Sequence, residues 1–181
     1  MGRDKAELIH PDGRTLARRT IDLLQLAGCK RIAISLRHDQ SIPNECEIFP
    51  GLEIVRDGVN ASNGPLSGIV AAMKSDLESD WLVLACDLPK LEVDALRHLV
   101  ESKRVDEMFL AYRSEVDGLP EPLCAIYSAN SLKYLLTAIE EYRRCPRKIL
   151  IENQCRLLQT IRPGSLFNAN TSDEWTKVIT A

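Results

Sequence analysis

From Trp81 to Cys86 six successive positions are apolar, and at Asp87 the run stops, followed by Leu88 and Pro89. A strand with one wet face alternates polar and apolar residues, so a run without a polar position predicts a strand covered on both faces. It is also far too short to cross a bilayer as a helix, which takes about twenty apolar residues. The chain therefore needs helices on both sides of a sheet, with Trp81 to Cys86 as a buried central strand and Asp87 at its carboxyl end.

The flanking sequence supplies those helices. Leu16, Leu23, Leu24 and Ala27 share one face of a helix over Thr15 to Ala27, closed by Gly28. Arg31 to Leu36 alternates as a strand, and a turn-rich stretch separates it from a second strand, Leu52 to Val55. A polar loop over residues 57–64 leads to Pro65, whose fixed φ suits a first helical turn, and Leu66, Ile69, Val70 and Met73 form the apolar face of a helix over Leu66 to Leu77. Further on, the spacing predicts a helix at Val93 to Glu101 and strands at Met108 to Tyr112 and Leu123 to Tyr127, with a turn-rich insertion between them. Helices at Asn130 to Tyr142 and Lys148 to Glu152 and a strand at Arg156 to Ile161 follow, and Thr171 to Glu174 form a capping box for a last helix. Strands separated by helices allow the long crossovers that parallel pairing needs, so the expected fold is α/β, with a mostly parallel sheet between two helical layers. No linker or internal repeat interrupts residues 1–181, which read as one domain.

Composition excludes several classes. Lys and Arg number 23 against 26 Asp and Glu with the signs interleaved, so no basic face is available for nucleic acid. Neither a membrane span nor an export signal is present in the sequence, and the expected location is cytoplasmic. The six cysteines lack both a disulfide framework and zinc-ligand spacing, and read as reduced, mostly buried thiols.

In open α/β sheets ligands bind outside the carboxyl ends of the strands. Asp87 is the first candidate there, with two readings: a carboxylate for Mg²⁺, or a turn or cap aspartate beside Pro89. The loop from Asp57 to Gly68 is the second. Gly64 and Gly68 flank Pro65 at a helix start, which attracts anions, while Gly-Pro is also ordinary punctuation and Asp57 alone reads as a turn residue. Lys5, following Gly2, either cradles phosphates or belongs to a frayed terminus. Glu121 between two prolines, and Asn168 and Asn170 ahead of a helix, read by themselves as turn and cap chemistry. His10, His38 and His98 have no partner spacing, so neither a metal cluster nor a Ser-His-Asp arrangement is indicated.

Five fragments in order nevertheless form a pattern: Arg56-Asp57, Gly64-Pro65-Leu66-Ser67-Gly68, Ala85-Cys86-Asp87-Leu88-Pro89, Pro120-Glu121-Pro122-Leu123, and Phe167-Asn168-Ala169-Asn170-Thr171. With Gly2-Arg3-Asp4-Lys5 before them, they resemble the molybdenum cofactor guanylyltransferases, the MobA-like branch of the nucleotidyltransferases. The resemblance implies a Rossmann-like three-layer α/β/α sandwich of the nucleotide-diphospho-sugar transferase type. It implies a reaction in which the terminal phosphate of molybdopterin attacks the α-phosphate of GTP with Mg²⁺, giving the guanine dinucleotide cofactor and pyrophosphate. By motif, Lys5 and Asp87 are the catalytic residues on the GTP phosphates, with Asp87 on the metal. Asp57 and Gly64 lie in the nucleotide site, and Ser35 stands where the family often carries an asparagine that touches nucleotide. Asn168, Asn170 and Glu121 lie on the molybdopterin side. The implied protein partners are molybdoenzymes or other cofactor-biosynthesis proteins.

The family's signature begins with a strand and a Gly-Gly loop that are absent before Met1, so the expectation is an N-terminally truncated domain, from a product that begins upstream or is a fusion. The 181-residue form is then expected to fold poorly and to bind GTP weakly. Base choice also stays open, with a sister cytidylyltransferase as the alternative enzyme and a partner-binding remnant as the alternative to an enzyme.

Overall fold

Period-two alternation in the strands decides which helices they meet. The computed structural model of the chain describes residues 4–43, 46, 49–57, 64–169 and 175. Its helices are α1 (Leu16–Leu26), α2 (Pro65–Ser75), α3 (Val93–Ser102), α4 (Leu132–Glu140) and α5 (Pro146–Glu152), with short 3₁₀ turns at Lys5–Glu7 and Ala129–Ser131. The strands are β1 (Ile32–Leu36), β2 (Leu52–Arg56), β3 (Trp81–Leu84), β4 (Phe109–Arg113), β5 (Pro120–Tyr127) and β6 (Arg156–Leu158). Odd-numbered side chains of β3 to β6, among them Val83, Phe109, Ala111, Ala125 and Tyr127, pack on α2, α4 and α5 through Leu66, Met73, Leu135 and Leu150. Even-numbered ones, Leu82, Leu110, Tyr112, Cys124 and Ile126, pack on α1 and α3 through Leu23, Leu96 and Leu99. The result is a three-layer α/β/α sandwich, and it follows from strands whose two sides are both apolar.

Helix ends follow their local chemistry. Thr15 caps α1 by accepting from Arg18 N–H at 3.2 Å. Gly28 closes it with φ of 91°, a left-handed conformation that glycine adopts without strain. All four apolar positions read from the spacing of α2, Leu66, Ile69, Val70 and Met73, are buried.

The sheet differs from the sequence expectation in three respects. First, it is in two parts: β1 pairs with β2 in parallel, and β3-β5-β4-β6 form a separate four-strand sheet among the described residues. Second, β5 runs antiparallel to both its neighbours, while β3, β4 and β6 share one direction, so one strand of the four is reversed. The stretch from Pro120 to Pro122, expected as a turn, belongs to β5 instead. These prolines lie beyond the part of β5 that β3 pairs, which spans Cys124 to Tyr127, so no ladder bond to β3 is lost. Third, β3 is an edge strand among the described residues, not the buried central one expected, and its four residues are each half-buried. A cavity of about 620 Å³ lies between the amino ends of β1 and β3, where Trp81 and Leu82 line it together with Leu24, Ala27, Ala33 and Ile126 among others.

The cysteines form no disulfide, as read, but Cys46 and Cys124 are the fully buried ones, with Cys145 exposed and the other three half-buried. No described helix is long and apolar enough to cross a membrane. The expected capping box over Thr171 to Glu174 lies outside the described residues.

Hydrogen bonding places backbone groups on the cavity wall. Ala85 N–H donates to Leu123 O on β5 at 2.8 Å, so Val83, two residues earlier, also points to β5 and Leu82 points away. Asp57 N–H donates to Leu36 O at 3.0 Å, so Ile34 points to β2 and Ala33 points away. Amides without a ladder partner open at lower free energy than paired ones. Hydrogen exchange read by NMR should therefore show Leu82 and Ala33 exchanging at least tenfold faster than Val83 and Ile34. Equal protection at the four amides would mean that something closes the gap.

Candidate active site

Two clusters form at the carboxyl ends of the parallel strands. On β3, the chain leaves Leu84 and turns at Cys86 and Asp87, which puts the Asp87 carboxylate just past the strand. Lys5, in the 3₁₀ turn near the start of the chain, donates from Nζ to Asp87 Oδ2 at 3.0 Å. Glu121 arrives from the antiparallel strand: two residues beyond the Ala85–Leu123 bond stand Asp87 on one segment and Glu121 on the other. Its carboxylate accepts from Arg147 Nη2 at 3.1 Å, and Arg147 also donates to Asp117 at 2.9 Å. Ala169 N–H donates to the Asp87 carbonyl at 3.3 Å, which brings the Asn168 segment to the same end. Asn168 Oδ1 is buried there without a hydrogen-bond partner among the described residues. Asn170 lies outside the described residues.

The second cluster stands on β1, β2 and the head of α2. Ser35 Oγ donates to Asp57 Oδ1 at 3.4 Å. Gly68, in the first turn of α2, lies against both, since a Cβ built on it would sit 2.2 Å from Ser35 Oγ and 3.2 Å from Asp57 Oδ1. This packing gives Gly68 its reason, whereas Gly64 is needed for conformation: its φ of 57° is left-handed and its Cβ would meet open space. No side chain caps α2 among the described residues, and the dipole of the helix favours an anion at this end. Burial pushes the Asp57 carboxyl above its ordinary value, and the Ser35 hydroxyl and the Arg37 charge only partly offset this.

The turn that carries Lys5 connects the clusters. Asp4 accepts from Ala6 N–H at 3.0 Å and, through its other oxygen, from Gln40 Nε2 in the loop after β1 at 2.8 Å. Lys5 is thus held between that loop and Asp87, which decides against the frayed reading. The Asp87 carboxylate bonds to Lys5 and caps no backbone N–H among the described residues, so the cap reading is not supported. Cys86, its neighbour, is pushed up to about 11 by burial and by the Asp87 charge, so it stays a thiol rather than a nucleophile.

The structure therefore brings Lys5, Asp87, Glu121 and Asn168 into one cluster and Ser35, Asp57, Gly64 and Gly68 into the other, both at the carboxyl ends of the strands. Sequence reading missed Asp4, Gln40, His10 and Arg19. Each acts through a partner at least 36 positions away, and no local spacing marks such pairs.

Comparison with known proteins gives this arrangement a family. Residues 1–157 match the MobA-like NTP transferase domain. The chain is 32% identical over 181 residues to a protein of Synechocystis sp. named molybdenum cofactor biosynthesis bifunctional protein, covering 98% of this chain and 50% of that one. It is also 32% identical over 129 residues to a probable molybdenum cofactor guanylyltransferase of Nostoc sp., covering 70% of this chain and 60% of the relative. The chain thus spans roughly half to three-fifths of the length of these curated relatives. Its fold matches the crystal structure of molybdopterin-guanine dinucleotide biosynthesis protein A from Archaeoglobus fulgidus with a TM-score of 0.76, at 21% identity, over 99% of this chain and 90% of that one. It also matches that of 2-C-methyl-D-erythritol 4-phosphate cytidylyltransferase from Thermus thermophilus, with a TM-score of 0.69 at 12% identity, over 97% and 92%.

The Ser35–Asp57–Gly68 packing has measurable consequences. Gly68→Ala forces the Ser35 hydroxyl off Asp57 and should cost about 1–3 kcal/mol in urea unfolding, and Ser35→Ala in the same chain should recover part of it. The folded protein holds the Asp57 proton more tightly than the unfolded chain does, so this residue's contribution to stability falls as pH rises through the carboxylate range. Asp57→Asn should flatten that fall without lowering stability at neutral pH, and an unchanged pH profile would contradict the burial argument.

Proposed function

The chain belongs to the MobA-like NTP transferase family, and on that premise we propose that it transfers GMP from GTP to molybdenum-bound molybdopterin and releases pyrophosphate. The observation that carries the reading is the Lys5–Asp87 pair at the carboxyl end of β3, held against the turn after β1. Relatives of this chain carry the names of molybdenum cofactor guanylyltransferases, which supports both the donor and the acceptor.

The reaction asks little covalent chemistry of the protein. An anionic phosphate oxygen of molybdopterin attacks the α-phosphorus of GTP, one P–O bond forms, the α–β bridge breaks, and pyrophosphate leaves. No side chain has to become a nucleophile or take a proton. What is needed is alignment and neutralisation of charge. Lys5 supplies a cation to the triphosphate, and the N-terminus of α2 behind Gly64 supplies N–H groups. Asp57 and Ser35 serve the nucleotide, while Glu121 and Asn168 serve the acceptor, a role that Asn170 shares by motif alone. The buried Asn168 Oδ1, without a partner among the described residues, then accepts a hydrogen bond from the pterin.

The donor set fits Mg²⁺. Asp87 offers one carboxylate, and no described group of three or more His, Cys, Asp or Glu surrounds it, as suits an ion that completes its sphere with phosphates and water. Asp87 would hold that ion, which when bound neutralises charge on the reacting phosphates. Other molybdenum-cofactor proteins are the partners to which the product would pass.

Incubating the chain with molybdopterin, Mg²⁺ and each of the four NTPs tests the assignment. GTP should be consumed with formation of a guanine dinucleotide, and preferential use of CTP would make the protein a cytidylyltransferase. Asp87→Asn should keep the melting temperature while lowering turnover on the order of a hundredfold or more. Full activity per folded molecule in this variant would remove Asp87 from the mechanism.

A further inference from the structure

The segment that carries Asp87 is held from outside at every second carbonyl. The Asp87 carbonyl accepts from Ala169 N–H at 3.3 Å, the Pro89 carbonyl from His10 Nε2 at 3.1 Å, and the Leu91 carbonyl from Arg19 Nη2 at 2.6 Å. Inside the segment, Leu91 N–H donates to Leu88 O at 3.1 Å. Two of the three outside holds thus come from side chains near the start of the chain, about 70 to 80 positions away in sequence.

Arg19 is an expensive way to fill its place. It sits on the buried face of α1 among Leu16, Ala17, Ile21 and Leu23, and is 5% exposed. Its Nε is buried without a hydrogen-bond partner among the described residues, and burial disfavours its charged form. An apolar side chain of similar length is often neutral or stabilising at a buried ion-pair position, so stability alone does not account for arginine here. What arginine does that methionine cannot is bind the Leu91 carbonyl and, at 3.1 Å, the Glu92 carboxylate.

His10 belongs to the same unit. Because the Pro89 carbonyl only accepts, Nε2 carries the proton in that bond. Asp12 joins the two holders: its Oδ2 lies 3.0 Å from His10 Nδ1 and 3.6 Å from Arg19 Nε, and Arg14 anchors it at 2.6 Å.

We propose that Arg19 and His10 are positioning residues for Asp87: by fixing the Pro89 and Leu91 carbonyls they fix the path of the segment on which its carboxylate stands. The inference rests on the proposed function for what Asp87 holds, a divalent cation on nucleotide phosphates. A misplacement of about 1 Å at a reacting centre costs on the order of a hundredfold in rate, so the effect is large even though neither residue touches substrate.

The test uses the full chain with Mn²⁺ as a paramagnetic probe in the presence of GTP, alongside thermal melting and turnover. Arg19→Met should melt at or above the wild-type temperature yet weaken Mn²⁺–GTP binding on the order of tenfold or more. Its loss of turnover should show a raised KM for Mn²⁺–GTP together with a lowered kcat, and Arg19→Lys should restore part of both. His10→Ala should weaken Mn²⁺ binding in the same way, while His10→Gln, whose amide can still donate to Pro89 O, should keep most of it. Wild-type Mn²⁺ affinity in both Arg19→Met and His10→Ala overturns the proposal, as does a loss that lysine and glutamine fail to rescue. Should Arg19→Met not fold, the His10 pair decides. A wild-type chain that binds Mn²⁺–GTP but forms no dinucleotide would sink the proposed reaction, and the Mn²⁺ affinities of the variants would still judge the positioning role.

Discussion

Strand β5 runs against both its neighbours, and as an interior strand it serves two partners. Between Leu123 and Ser128 the odd-numbered backbone groups bond to β3 and the even-numbered ones to β4, as the Ala85–Leu123 and Ser128–Met108 bonds show, and a register shift opposite Ala111 to Arg113 ends this alternation. The same alternation sends Ala125 and Tyr127 into the core under α2, α4 and α5, and Cys124 and Ile126 into the core under α1 and α3. Both helical layers therefore rest on the same few residues, and β3 has no other strand to hold it among the described residues. The reversal also returns the chain to the carboxyl end of β3, where Glu121 meets the level of Asp87.

The candidate site is assembled from turns that the sheet holds at one end, each fixed by a polar contact between remote segments. Asp4 holds Gln40, Lys5 holds Asp87, and Ala169 holds the Asp87 carbonyl. Ion pairs this exposed contribute little to stability individually. Their role is geometric: together they set the distance between the β1–β2 half and the β3 half, which are not joined by a strand–strand bond among the described residues. The cavity between those halves lies at the opposite, amino end of β1 and β3, lined by Arg31 to Ala33 and by Trp81 and Leu82, so the contacts that align the site also bridge the place where the sheet is interrupted.

A good deal of this was legible in the sequence. The apolar spacing of α2 named Leu66, Ile69, Val70 and Met73, all buried, and Thr15 and Gly28 marked the limits of α1. The run from Trp81 announced a strand that helices cover on both faces, and the motif resemblance singled out Lys5, Asp57, Asp87, Glu121 and Asn168 as candidates. Local pattern could do this because helix periodicity, capping and turn chemistry are settled within a few residues of chain.

What local pattern could not give was direction and neighbourhood. An apolar run is the same whether its strand lies at the centre or the edge of a sheet, so the edge position of β3 and its half-buried residues needed the tertiary structure. Pro120 and Pro122 looked like turn residues because proline cannot donate to a ladder, and only the pairing of β5 revealed that β3 asks for no bond there. Arg19 looked like one more charge on an amphipathic helix. Its burial against Leu91 and Glu92 depends on α1 lying beside the segment after β3, a contact across 72 positions. The sequence by itself determined the elements, the layers and the candidate chemistry, because each is written in side chains a few residues apart. The tertiary structure alone decided strand order, the reversal of β5 and which polar groups meet, because those depend on segments that approach only when the chain has closed on itself.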